Sequence, residues 1–198
     1  MLPTKINRMD RWLLQKAPQF GNALPILTTQ KVKLIENSSL LTIPEKKELL
    51  LILFGYKFST ELSFAEKEEK AELLLKLELP FHVESRVHSQ KGKIRWLQVS
   101  ANERIDRFVK KYSSSMSAME AGLLYGYPYS AILAFMGLIP RMEKLPSDGC
   151  SKQWFGLVRS KHLFELEERY FREIIDQIAR VSQIIHSELK SWYSGRKS

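Results

Sequence analysis

From Lys161 to Trp192 the chain carries one sustained apolar stripe, and this constrains the fold more than any other feature. Phe171, Ile174, Ile178, Val181 and Ile185 recur at spacings of three and four, and Ile175 and Ile184 widen the band. The periodicity predicts a helix over 160–193, about 45 Å long at about 1.5 Å per residue. A globule of this chain length is only about 40 Å across, from a radius of gyration near 16 Å. The helix must therefore span the body, kink or project from it. A stripe this wide suits a core helix better than a narrow coiled-coil seam. Oligomerisation through this helix stays open.

The remaining pattern is also mainly helical. Arg8 to Lys16 can form a short helix, and 28–37 reads as another because Val32 and Ile35 share a face. Thr42-Ile43-Pro44-Glu45 opens a helix with a capping box and a proline in its first turn. Its body, Leu49 to Phe54, is apolar all round and so belongs inside. Ser63-Phe64-Ala65-Glu66 repeats the capping-box pattern and predicts a helix running to about Leu77. Residues 81–100 read as a β-hairpin turning at Lys91-Gly92. A two-residue turn would put Val87 opposite Trp96 and gather Val83, Val87, Ile94 and Trp96 on one helix-covered face. His82, Glu84, Arg86, His88, Lys93 and Arg95 would then share the other. Asn102 to Tyr112 is an amphipathic helix, and Ser117-Ala118-Met119-Glu120 is a third capping box. Residues 140–158 are irregular. The expected fold is α+β and mostly helical: a single domain over 1–198 with one β-hairpin packed on helices and a long C-terminal helix.

Charge is the strongest pointer to a partner. Lys and Arg number 31 against 22 Asp and Glu, a formal net charge of +9. Between Arg86 and Lys111 eight cations face only Glu103 and Asp106, so this short segment carries +6 of that total. Glu103 with Arg107 and Asp106 with Lys110 are i,i+4 pairs that would offset two of the helix cations. Arg86, Lys93, Arg95, Arg104, Arg107 and Lys111 are the candidate anion-binding residues, for nucleic acid first or for an acidic protein.

Several classes fall away. A hydrophobic content of 44% rules out whole-chain disorder. Cys150 is alone, which removes an intrachain disulfide and a cysteine zinc site and suits a cytoplasmic protein. Residues 1–5 lack the apolar core of a signal peptide. Ala121 to Pro140 is uncharged, but Gly126-Tyr127-Pro128 breaks it, so it reads as two short helices in a soluble protein with no membrane partner. His82, Glu84 and His88 lie too far apart along a strand to share one ion. No metal or cofactor is expected, because phosphate-loop, nucleophile-elbow and His-Glu-x-x-His patterns are absent.

The string from Glu120 to Ala131, centred on Gly126-Tyr127-Pro128, is the most unusual in the chain. It resembles a pattern in uncharacterised prokaryotic proteins: a helix with Glu and Gly, a Gly-Tyr-Pro corner, a small residue or Cys, then an aromatic, here Phe135. Ser130 and Ala131 stand where those proteins have cysteines, so the resemblance implies no thiol or metal chemistry. Physically the string is a tight interhelical corner. A second functional reading places a small enzyme's pocket there, with Glu120, Tyr127, Tyr129 and either His82 or Glu84. A third makes the C-terminal helix an adaptor for a partner protein.

Overall fold

A computed structural model describes residues 27–88, 92–143 and 160–194. The Arg8–Lys16 segment, Lys91 and Cys150 lie outside them. Helices α1 (Thr29–Glu36) and α2 (Ile43–Leu53) lead into strand β1 (Ser59–Ser63) and helix α3 (Lys67–Lys76). Strands β2 (Phe81–His88) and β3 (Gly92–Ser100) follow, then α4 (Glu103–Tyr112), α5 (Ala118–Leu124) and α6 (Tyr129–Phe135). The chain closes with α7 (Phe164–Val181) and α8 (Gln183–Ser194). The α+β class is as expected, with a third strand added.

Helix α2 is the centre of the core. Thr42 and Glu45 form the reciprocal capping box, and Leu49, Leu50, Leu51, Ile52 and Leu53 are all buried. α8 packs against α2, and Phe171, Ile174, Ile178, Ile185 and Leu189 of the C-terminal helices join the same cluster. The long C-terminal helix therefore crosses the body, and it does so with a break. Ser182 is extended, at φ −147° and ψ 98°. Its hydroxyl accepts from Ile185 N–H at 3.0 Å, so it caps α8 as a new helix start. The same hydroxyl donates to the Glu36 carboxylate, which pins the break to the end of α1. The helix begins at Phe164, later than expected, and Ile184 turns outward.

The sheet is antiparallel in the order β1-β3-β2. β1 overturns one expectation. Ser63 does not cap α3: it ends β1, and Glu66, with φ +54°, stands at the cap position without a side-chain bond. Tertiary contacts claim Ser63 instead. Its N–H donates to Glu45 Oε1 at 2.7 Å, and Lys70 Nζ donates to its hydroxyl at 2.6 Å and to Glu45 Oε1 at 2.9 Å. One carboxylate thus joins α2, β1 and α3 in the interior. Burial opposes ionisation of Glu45, but the Thr42 N–H, Lys70 and the Ser63 N–H outweigh it and hold its carboxyl below the usual value. A lowered folded-state value stabilises above the unfolded one, so this contribution is present near neutrality and disappears on acidification. The urea midpoint should fall as pH drops below about 4.3, the ordinary glutamate value, and Glu45→Gln should flatten that dependence.

The hairpin register also differs from expectation. His88 pairs with Gly92, leaving three residues between the strands, so Val87 faces Lys93 and Glu84 faces Trp96. Moving the register by an odd number of residues exchanges the faces. Lys93 and Arg95 share a face with Val83, Val87, Leu97 and Val99, while Trp96 and Ile94 lie with His82, Glu84 and Arg86. The base of the first face is covered, with Leu62, Leu97 and Val99 buried. Its outer half is not: Val83 is 52% and Val87 80% exposed. The outer hairpin is a ribbon projecting past the helices that were expected to cover it.

Candidate anion-binding surface

Asn102 starts α4 by accepting from the N–H groups of Arg104 and Ile105, each at 3.0 Å. Ile105 and Val109 are buried, so helical geometry turns Arg104, Arg107, Lys110 and Lys111 outward. Asp106 is the exception on this helix. It is buried beneath it and meets β2.

His82 makes that joint. Its Nδ1 is 2.6 Å from Asp106 Oδ1 and its Nε2 is 3.2 Å from Glu84 Oε1. Ser113, just past α4, donates to the same Glu84 oxygen at 3.2 Å. Lys110 pairs with the other Asp106 oxygen at 3.1 Å. This polar clamp fixes α4 against the His82–Glu84–Arg86 face of the ribbon. His82 and Glu84 are therefore committed to α4, and neither joins the Gly-Tyr-Pro corner. Periodicity could not reveal the clamp, because it joins residues 24 apart through tertiary packing.

All six candidate cations are exposed. They do not lie on one surface, as the expected register would have placed them. Arg86 shares its face with α4 and the half-buried Trp96, whereas Lys93 and Arg95 project from the opposite face. Of the two intrahelical pairs anticipated in α4, Asp106–Lys110 forms and Glu103–Arg107 does not. Among the described residues Arg86, Lys93, Arg95, Arg107 and Lys111 make no ion pair. Arg95 instead lies 5.6 Å from the Phe64 ring centroid, which Lys67 approaches from 5.3 Å. Phe64 is an aromatic neighbour of the cations that the misassigned helix start concealed.

The alternative site does not assemble. Glu120 completes its capping box, accepting from Ser117 N–H and Oγ at 2.8 Å each, in an exposed position. These bonds lower its carboxyl below the usual range. Tyr127 lines a cavity of about 50 Å³ with Glu48, Lys57, Tyr125 and Phe171, and Tyr129 is not among its walls. Such a volume holds a water or two, far short of the roughly 300 Å³ of a small-molecule pocket. Its charged wall is a buried Lys57–Glu48 pair, with Lys47 3.2 Å from the same carboxylate. A concavity of about 790 Å³ lies open between α1 and α3, and none of the candidate residues lines it.

Among the described residues no His, Cys, Asp and Glu cluster could hold a metal ion, and no helix is long and apolar enough to cross a membrane. In comparisons with family models, curated proteins and solved structures, nothing matches this chain.

Proposed function

We propose that this protein binds the phosphate backbone of nucleic acid, without catalysis, through Arg86, Lys93, Arg95, Arg104, Arg107 and Lys111. The observation that carries this reading is the projecting ribbon beside α4, whose exposed cations are left mostly without carboxylate partners. Their placement favours a single strand over a duplex. A flexible chain can pass around the outer ribbon on its β3 side, where Gly92–Arg95 lie beyond the pairing with β1, and meet cations on both faces, whereas a rigid duplex lying against one face would miss the other set. Phe64 under Arg95 and the half-buried Trp96 add ring surfaces beside those cations, on which bases can stack with little sequence preference. The lone Cys150 fits work in the reducing cytoplasm.

Binding of a labelled single-stranded oligonucleotide, followed by fluorescence anisotropy across salt concentrations, tests the proposal. With six contacts at about 0.7 counterions each, log K should fall against log salt with a slope of about −4. Replacing Arg95 and Arg107 together with Gln should flatten that slope by about 1.4 while the melting temperature holds. Absence of binding at low salt would overturn the proposal. Tighter binding to an acidic polypeptide than to the oligonucleotide would overturn it in favour of a protein partner.

A further inference from the structure

We infer that β2 is a dimerisation edge, pairing antiparallel with β2 of a second copy of this chain about a two-fold axis at Ser85. The inference does not rest on the nucleic-acid reading. It begins with the hydrogen-bond phase of the sheet. β2 lies at one side of the sheet, and β3 is its neighbour. Ser100 N–H donates to Pro80 O at 2.9 Å, and residues 80 and 100 lie on the β2–β3 register, so even-numbered residues of β2 turn their backbone groups toward β3. Ala101 N–H donating to Phe58 O at 2.9 Å fixes the same phase on the β1 side. The N–H and C=O groups of Val83, Ser85 and Val87 consequently point to the free edge. That edge is open, since Val83, Ser85, Arg86 and Val87 are all exposed. A long exposed edge with apolar side chains is a template for another strand.

Self-complementarity selects a second copy as that strand. With the axis at Ser85, Ser85 faces the partner's Ser85 and their outward backbone groups bond reciprocally. On the Lys93–Arg95 face, Val83 meets the partner's Val87 and Val87 the partner's Val83. On the α4 face, Glu84 meets the partner's Arg86 and Arg86 the partner's Glu84, a contact that uses only some of the N–H donors of each guanidinium and leaves the rest for a phosphate. These charged residues occupy non-hydrogen-bonded positions, where opposed side chains approach most closely. Glu84 is ready for the contact, because His82 and Ser113 both use its Oε1 and leave Oε2. Shifting the axis by one residue sets Glu84 against itself or Arg86 against itself, and like charges directly opposite are destabilising. An axis at Ser85 sets Glu84 and Arg86 opposite their unlike charges in an isologous pairing. The product is a continuous six-stranded sheet. Its central valines are flanked on both sides by Lys93 and Arg95.

Light scattering coupled to size-exclusion chromatography, at micromolar protein, reads the outcome as mass. The intact protein should elute at twice the chain mass. Arg86→Glu and Glu84→Arg should each elute at the chain mass, because each alone opposes like charges. Mixed in equal amounts they should return to twice the chain mass, since both cross-strand contacts become complementary again. Ser85→Pro supplies an independent variant: it removes an N–H that the free monomer does not use, and proline is tolerated at such edge positions. It too should be monomeric. An intact protein that is monomeric throughout, or an Arg86→Glu or Ser85→Pro variant that still dimerises, would overturn the inference. Mass is read without nucleic acid, so this result and the salt titration fail separately.

Discussion

Gly126→Val should lower stability by about 3 kcal/mol, the largest effect expected from a single exposed-looking corner position. Two costs combine. Gly126 has φ +73°, where a residue with a Cβ loses about 1–2 kcal/mol. A Cβ there would also stand 2.1 Å from the Tyr56 carbonyl oxygen and 2.9 Å from Lys57 Cγ, so backbone must move, at a typical overpacking cost of about 1–3 kcal/mol. The corner cannot retreat easily. Phe58 N–H donates to Leu124 O at 2.9 Å, holding the end of α5 to the start of β1. For a chain of this length the melting temperature should fall by about 6–12 °C. A variant melting with the parent would show that the corner is not packed against Tyr56.

Lys70→Met should cost about 3–5 kcal/mol, the usual consequence of removing one member of a buried ion pair. Lys70 is 1% exposed and Glu45 7%, so the carboxylate left behind keeps its Thr42 and Ser63 donors but loses its countercharge in a mostly dry site. Three elements lose their common anchor at once. The deficit should narrow as the pH falls, because protonation of Glu45 relieves the uncompensated charge in the variant before it does so in the parent. Urea denaturation of the two proteins at neutral and acid pH measures both effects. A deficit that stays constant with pH would mean that Glu45 is not the group left unpaired.

These two positions differ in how far the sequence announces them. Gly126 sits between a capping box and Pro128, a pattern whose local meaning is the helix–corner–helix that forms. The Thr42 and Ser117 boxes and the α4 stripe were legible for the same reason, since their causes lie within a turn or two of chain. Nothing in the chain around Lys70 marks it for burial, and Ser63-x-x-Glu66 reads locally as a cap, because the partner that Lys70 and Ser63 share, Glu45, is far away in sequence. Strand β1 was missed for that reason: five residues, three of them Ser or Thr, become a strand only by pairing with β3. The break in the C-terminal helix was hidden as well. Ser182 is an ordinary helix residue until Glu36 binds its hydroxyl and Ile185 uses it as a cap.

At the candidate surface, exposure of the six cations was legible, because lysine and arginine are rarely buried. Their division between two faces was not. It turns on whether two or three residues link the strands, a difference that composition does not encode and that exchanges every side chain of one arm. The outward valines follow from the same register, and so does the self-complementary edge.

The most direct measurement of the central claim is amide chemical-shift mapping of the isotopically labelled protein as a short single-stranded oligonucleotide is added at low salt. The expected changes fall on residues 92–96, on Arg86 and Phe64, and along the outer side of α4 from Arg104 to Lys111, and they fade as salt is raised. Changes centred on the α1–α3 groove or on the Gly126 corner, or no changes at saturating oligonucleotide, would contradict the account.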